Sequence, residues 1–110
     1  MKLPNLERAE IPEDKLVGYL LSEVHPVGRW KAEFFRSLGY SAEAPDIFRK
    51  ALLQLVRGAE VSDQASTPYG TKYVVDGYLA AAGATPVMVR TVWIVAREGV
   101  PPRLVTAYPL

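Results

Sequence analysis

The spacing of hydrophobic and polar positions changes near the middle of the chain. From Pro12 to Arg57, apolar residues recur every three or four positions, which places them on one face of a helix. From Glu60 onwards they alternate or form short blocks, as strands do. Helices followed by a meander predict an α+β fold, with N-terminal helices packed on one face of a roughly four-stranded antiparallel sheet.

Proline and acidic residues indicate where the first helix begins. Pro12 suits the first helical position, and Glu13 and Asp14 complement the positive end of the helix dipole. Pro26 cannot continue a helix and pushes His25 towards an extended conformation, so the segment 23–28 is a break. The apolar stripe of this helix is Leu16, Val17, Tyr19 and Leu20.

Glycines mark the ends of two further helices. The second covers about 29–38 and ends at Gly39, whereas the third begins at Ser41 or Ala44 and ends at Gly58. The predicted core face of the second helix is Ala32, Phe35 and Leu38. The predicted core face of the third is Ile47, Phe48, Ala51, Leu52, Leu55 and Val56.

The second half predicts four strands and a short one near the N-terminus. Residues 67–70, Thr-Pro-Tyr-Gly, are a turn sequence, and 80–85 is a small-residue loop around Gly83. The most apolar strand, VMVRTVWIVAR, is central to the sheet. The strands are expected at 9–11, 60–66, 71–79, 87–97 and 103–108.

The alternation of side chains assigns residues to the two faces of the sheet. Arg90 shares a face with Met88, Val92 and Ile94, and it either pairs with Asp76 across the strand or points into a functional concavity. Both faces carry apolar residues, so we expect helices on one side and a partner, a ligand or a second copy on the other. In the last strand, alternation places three residues on one face: Leu104, Thr106 and Tyr108.

Composition limits the available chemistry. The 110 residues fit one domain, 1–110, with a net charge of +1, a single histidine and no cysteine. This excludes thiolate chemistry, disulfides, Cys-based metal sites and multi-His sites within one chain. There is no phosphate-binding or dinucleotide-binding glycine motif, so no cofactor is expected. Without an export signal or a membrane-spanning run, the cytoplasm is expected and a membrane partner is not.

A few polar residues remain as candidates for chemistry. His25 could act as a general acid or base, although an ordinary loop residue fits equally. Gly28, Arg29 and Lys31 make a plausible phosphate-binding neighbourhood at the start of a helix, in a segment where basic residues outnumber acidic ones. Thr106 and Tyr108 could hold a phosphate or could be standard strand residues. Trp30 and Tyr69, if exposed, could stack on unpaired bases.

Five segments taken together resemble a small, uncharacterised bacterial domain family. They are LPN at 3–5, HPVGRWKAEFFRSLGYS at 25–41, PYGTKYVVDG at 68–77, VRTVWIV at 89–95 and PRLVTAYP at 102–109. The resemblance spans nearly the whole chain. Members look like the toxin half of toxin–antitoxin or polymorphic-toxin systems, which implies a cognate antitoxin or immunity protein as partner.

The order of elements also resembles the barnase–EndoU–colicin–RelE group of metal-independent ribonucleases. Such enzymes carry a few basic and hydroxyl residues on the exposed sheet face and the nearby helix. The resemblance implies an endoribonuclease toxin that acts on RNA, with His25, Lys31, Arg90, Thr106 and Tyr108 as catalytic residues. The chain lacks the strongly basic charge of RelE-like toxins.

Two other hypotheses stay open on the sequence. The near-neutral charge and the two-faced apolar strand favour a non-catalytic interaction module, such as an immunity, antitoxin or accessory protein or a homodimer. A binding domain for a small anion is the third. The hypotheses differ in whether the five candidate residues meet in one open cleft, as a nuclease requires.

Overall fold

The computed structural model describes residues 1–22, 24–26 and 29–110. Three helices pack against a four-stranded antiparallel sheet, which confirms the predicted α+β class. Helix α1, Glu13–Lys15, continues as a π-helical segment, Leu16–Leu20. The remaining elements are α2, Arg29–Ser37; α3, Pro45–Arg57; β1, Val61–Thr67; β2, Gly70–Ala81; β3, Ala84–Val95; and β4, Arg103–Pro109. A 3₁₀ turn, Leu6–Arg8, precedes them.

The first helix differs from its prediction in where it starts and how it ends. Pro12 has an extended backbone and caps the helix from outside, rather than occupying its first position. The chain then widens into a π-helical segment, a rare form that often marks functional sites. Leu16 and Leu20 are fully buried, as the stripe predicts, whereas Val17 is exposed and Tyr19 lies at the surface of the core.

Helices α2 and α3 bury the predicted faces with one exception. Phe35 of α2 packs against Phe48 of α3, with ring centroids 4.8 Å apart. Helix α3 begins at Pro45 with Ala44 as its N-cap, which agrees with the later of the two predicted starts, Ala44 rather than Ser41. The prediction for Ile47 is wrong: its side chain is 65% exposed in the first turn of α3, whereas the other predicted core residues of α3 are buried. No helix within the described ranges is long and apolar enough to span a membrane.

The sheet order is β1-β2-β3-β4, so the apolar strand β3 is interior as predicted. Strands β2 and β3 extend further than expected, and the predicted loop 80–85 shortens to a tight turn at Ala82 and Gly83. Gly83 adopts a positive φ of 63°, which a two-residue hairpin turn favours. The predicted strand at 9–11 is reduced to one bridge between Glu10 and Arg103.

Strand β4 departs from simple alternation. Val92 of β3 pairs with Thr106, but the next residue, Trp93, pairs with Leu104, so Val105 is an extra residue in the ladder. Such a bulge rotates the side chains on one side of it relative to those on the other. Leu104 therefore packs into the helix-covered core, and the prediction that it shares a face with Thr106 and Tyr108 is wrong.

Candidate functional site

A cleft lies where the helices meet the β4 edge of the sheet. Thr106 and Tyr108 pair with Val92 and Arg90, so these four residues share the face of the sheet that the helices leave open. The helices reach this edge with two side chains, Tyr19 from the π-helical segment and Lys31 from α2. The bulge at Val105 is what turns Thr106 towards them.

Lys31 is the centre of this cluster. Its side chain is only 7% exposed, and its ammonium donates hydrogen bonds to the Tyr19 hydroxyl at 2.5 Å and to Thr106 Oγ1 at 3.0 Å. Tyr19 and Thr106 also share a hydrogen bond of 3.0 Å, so the three groups form a closed triangle. A buried ammonium needs such partners because removing it from water is costly. With two hydrogen bonds made, it keeps one donor for a ligand.

Aromatic rings surround the same ammonium. Lys31 Nζ lies 4.9 Å from the ring centroid of Tyr19, 5.4 Å from that of Trp30 and 5.6 Å from that of Tyr108. Ring faces attract a cation at such distances. Together with the hydrogen bonds, they hold the positive charge in a fixed position.

Tyr19 is the residue whose acidity this arrangement changes. Burial by itself raises the pKa of a phenol, because it disfavours the phenolate. The hydrogen bonds from Lys31 and Thr106, with the positive charges of Lys31 and Lys15, outweigh burial and lower the pKa of Tyr19 below its ordinary value. Tyr19 is therefore better able to give up a proton than a tyrosine in water.

His25 lies beside this tyrosine. Its ring packs edge-on against the Tyr19 ring, with centroids 4.8 Å apart. Both residues line an open cleft of about 520 Å³, together with Lys15 and Thr106. The neighbouring candidate, Gly28, lies outside the described residues, so the predicted phosphate-binding helix start is represented by Arg29 and Lys31 alone.

Arg90 lies further along the open face, in an ion pair with a carboxylate. It pairs with Asp76 through two hydrogen bonds of 2.9 Å, which confirms the predicted cross-strand partner. The hydrogen bonds and charge of Asp76, and a weaker contribution from Tyr108, raise the pKa of Arg90 above its ordinary value, so it is permanently charged. Because Tyr108 stands directly opposite Arg90 in the ladder and beside Lys31, it connects the two cations.

The cluster combines fixed positive charge with groups that exchange protons. Ammonium, guanidinium and hydroxyl groups are donors suited to an anionic oxygen such as that of a phosphate. His25 and Tyr19 add two proton carriers in contact with each other. Within the part of the chain that the structure describes, no three His, Asp or Glu side chains come close enough together to hold a metal ion.

The structure links the five predicted site residues by a chain of contacts, but of the five only His25 and Thr106 line the cleft itself. His25 contacts Tyr19, Tyr19 contacts Lys31 and Thr106, and Tyr108 lies between Lys31 and Arg90. Sequence reasoning missed Tyr19, which it placed in the apolar stripe. The available signal was Gly18, because a glycine inside a helical pattern weakens the helix and often has a functional reason. Trp30 and Tyr69 are exposed, at 52% and 82%.

Comparison with known proteins supports this fold and gives the chain a family. No curated protein matches its sequence. Among solved structures, a chain of the contact-dependent growth inhibition toxin–immunity protein complex from Klebsiella pneumoniae 342 has a similar fold. The TM-score is 0.71 at 10% identity, over 97% of each chain. A family model described as "Domain of unknown function (DUF6883)" matches residues 2–110, and the chain therefore belongs to that family.

Proposed function

We propose that this chain is a metal-independent endoribonuclease toxin of a bacterial toxin–immunity or toxin–antitoxin system. The observation that carries the proposal is the buried Lys31 ammonium, which donates to Tyr19 and Thr106, two residues that line the open cleft together with His25. A fixed cation beside two proton carriers is suited to the cleavage of a phosphodiester. The similarity to a chain of a toxin–immunity complex supports the toxin setting.

The proposed reaction is an internal transesterification. The ribose 2′-hydroxyl attacks the adjacent phosphorus, the O2′–P bond forms and the P–O5′ bond breaks, which leaves a 2′,3′-cyclic phosphate and a free 5′-hydroxyl. One proton leaves the 2′-hydroxyl and one joins the departing 5′-oxygen, so a base and an acid are needed. His25 and Tyr19, in ring contact at the cleft, take these two roles.

The remaining residues act on the phosphate itself. Lys31 donates to a non-bridging oxygen, on which negative charge increases in the transition state. Arg90 contributes its permanent charge from the neighbouring strand, next to Tyr108. Thr106 and Tyr108 position the phosphate, since both side chains face the same side of β4 as the cations. Fixed groups of this kind require no reorganisation when the charge forms.

Purified protein and single-stranded RNA test this function directly. We expect cleavage in the presence of excess EDTA, with products that end in a 2′,3′-cyclic phosphate. His25→Ala removes one proton carrier and should reduce kcat/KM by roughly 100-fold or more. RNA that stays intact with the wild-type protein would overturn the proposal, and cleavage abolished by EDTA would overturn the metal-independent mechanism.

A matched pair of lysine variants separates the site from general charge. Lys31→Met removes the central ammonium and should reduce kcat/KM by roughly 100-fold or more, as loss of an oxyanion-stabilising group does. Lys50→Met removes an equal charge from the exposed surface of α3 and should leave cleavage unchanged. Circular dichroism of both variants checks that each is folded. Equal losses in the two would mean that only net charge matters.

A non-catalytic interaction module is the second candidate, favoured by the apolar part of the open face. Tyr78 of β2 is 67% exposed on that face and pairs with Met88 of β3, whereas Val74 and Val92 of the same face are buried. Such a surface suits a protein partner or a second copy of this chain. Light scattering gives the oligomeric state, and a pull-down with the neighbouring gene product tests for an antitoxin or toxin. A monomer that cleaves RNA and does not bind that product contradicts this candidate.

A further inference from the structure

We propose that Trp30, with Arg29 beside it, is a stacking site for an unpaired nucleobase of the RNA whose phosphate Lys31 holds. The inference rests on the proposed function and adds the substrate class, which is single-stranded RNA. Trp30 follows Arg29 and precedes Lys31 at the start of α2. Its ring is 52% exposed, while the cation next to it in the sequence is almost completely buried.

The distance between the two groups fits one nucleotide. Lys31 Nζ lies 5.4 Å from the centroid of the Trp30 ring. Tyr19 and Thr106, which accept hydrogen bonds from this ammonium, line the cleft, so a phosphate held by Lys31 at that edge would have Trp30 at its side, about one ribose away. Bases attached to a bound phosphate project sideways from the backbone, and an exposed aromatic ring is the usual surface on which they stack.

The surroundings of Trp30 favour a base over a second phosphate. Trp30 borders a shallow depression of about 420 Å³ that it shares with Arg29, Glu33 and Arg36. The carboxylate of Glu33 repels a phosphate but can accept a hydrogen bond from a base amino group. The arginines attract the backbone on either side of the base. Base pairing would hide the face that Trp30 contacts, so a duplex does not fit this site.

The tryptophan content of the chain supplies a direct reporter. There are two tryptophans, and Trp93 is fully buried in the core on the opposite side of the sheet. Quenching of the emission by an oligonucleotide therefore reports on Trp30. The probe is a short single-stranded oligonucleotide with a 2′-O-methyl group at each position. Because the methyl group blocks the attacking hydroxyl, the oligonucleotide cannot be cleaved.

We expect this probe to quench the emission in the wild-type protein and not in Trp30→Phe. An abasic residue next to the scissile phosphate should reduce kcat/KM of the wild type by roughly 5- to 100-fold, the loss of one base–aromatic stack. Trp30→Ala should show the same reduction on intact RNA and no further loss on abasic RNA. Tyr69→Ala, at the β1–β2 turn near the other edge of the sheet, should behave as the wild type.

The outcomes separate this inference from the function on which it rests. Cleavage of RNA by the wild type, with equal rates on intact and abasic substrate, would overturn the stacking site and leave the nuclease standing. Failure to cleave any RNA, together with quenching of Trp30 by the probe, would overturn the nuclease while supporting an RNA-binding site. Cleavage of duplex RNA as fast as of a single strand would also contradict the stacking site.

Discussion

The two faces of the sheet differ in what their side chains contact: one face packs against the helices and the other carries an ion pair at the surface. On the helix-covered face, the side chains Val75, Val89 and Trp93 are fully buried. On the open face of the same strands, Asp76 and Arg90 pair at the surface and remain partly in contact with water. Neighbouring residues of one strand thus serve stability on one side and the candidate site on the other.

Polar groups show the difference most clearly. On the helix-covered face, the Trp93 indole donates to Thr91 Oγ1 and the Thr91 hydroxyl donates to the carbonyl of Val75, at 2.8 and 2.7 Å. That chain is closed, because every donor in it has an acceptor. On the open face, Lys31 keeps a donor after bonding to Tyr19 and Thr106. Polar groups that are completely satisfied stabilise the fold, whereas a group with a spare donor can also bind a ligand.

Replacement of the two tryptophans is expected to give the largest difference in the free energy of unfolding. Trp93→Ala removes a fully buried side chain and should lower the free energy of unfolding by about 3–5 kcal/mol. Trp30→Ala removes the same side chain from the surface and should change it by no more than about 0.5 kcal/mol. Urea denaturation followed by circular dichroism measures both without relying on tryptophan emission. Similar losses in the two variants would show that Trp30 supports the fold.

A pair of threonines, one on each face of the sheet, tests the difference between the faces by removal of a single hydroxyl group. Thr91→Val leaves the buried Trp93 indole without its acceptor, so it should lower the free energy of unfolding by about 1–3 kcal/mol. Thr106→Val removes a hydroxyl of the cleft, whose partners Tyr19 and Lys31 remain bonded to each other. We expect the smaller loss of stability and the larger loss of RNA cleavage from Thr106→Val.

The opposite pattern would break the distinction between the faces. If Thr91→Val reduced cleavage more than Thr106→Val at equal stability, the core face would be part of the site. A temperature at which all three proteins are fully folded must be used, because partial unfolding of Thr91→Val would imitate a loss of activity. A urea titration of each protein at that temperature gives the midpoint of unfolding and shows whether the protein is fully folded under the assay conditions.

Much of the fold follows from local patterns in the sequence. The apolar run 87–97 requires burial on both sides, and this is why strand β3 was predicted in the interior of the sheet. The cross-strand ion pair between Asp76 and Arg90 was predictable because both residues interrupt apolar strands. The exposure of Ile47 was not predictable, since the helical period assigns it to the same stripe as Ala51 and Leu55, which are buried.

The site was less accessible to sequence reasoning than the fold. Strict alternation grouped Leu104 with Thr106, because no residue in 103–108 indicates a bulge at Val105. Tyr19 has the helical spacing of a core residue, and its hydroxyl is recognised as functional only when Lys31 and Thr106 are seen beside it. Both wrong predictions arise from backbone irregularities, the bulge in β4 and the π-helical segment. These irregularities change the direction of side chains that a regular strand or helix would fix.

Two tyrosines, one in the core and one at the cleft, are expected to differ in the pH at which they ionise, and this is the smallest of the expected effects. Tyr40, packed in the core, donates to the carbonyl of Ala80, and burial raises its pKa. For Tyr19, the bonds and charges at the cleft outweigh burial and lower the pKa. A titration of phenolate absorbance should therefore show Tyr19 ionising before Tyr40. Tyr19→Phe should remove the early step, and Tyr40→Phe the late one.

The two shifts act on stability with opposite signs. Above its lowered pKa, folded Tyr19 releases its proton before the unfolded chain does, so it stabilises the fold increasingly until the pH passes the ordinary tyrosine value of about 10. Tyr40 does the reverse, because the unfolded chain ionises first and stability falls as the pH rises above that value. Lys31→Met should move the early step to higher pH. An early step that Lys31→Met leaves unchanged would show that the ammonium does not control the acidity of Tyr19, and the proton-transfer role of Tyr19 would fall with it.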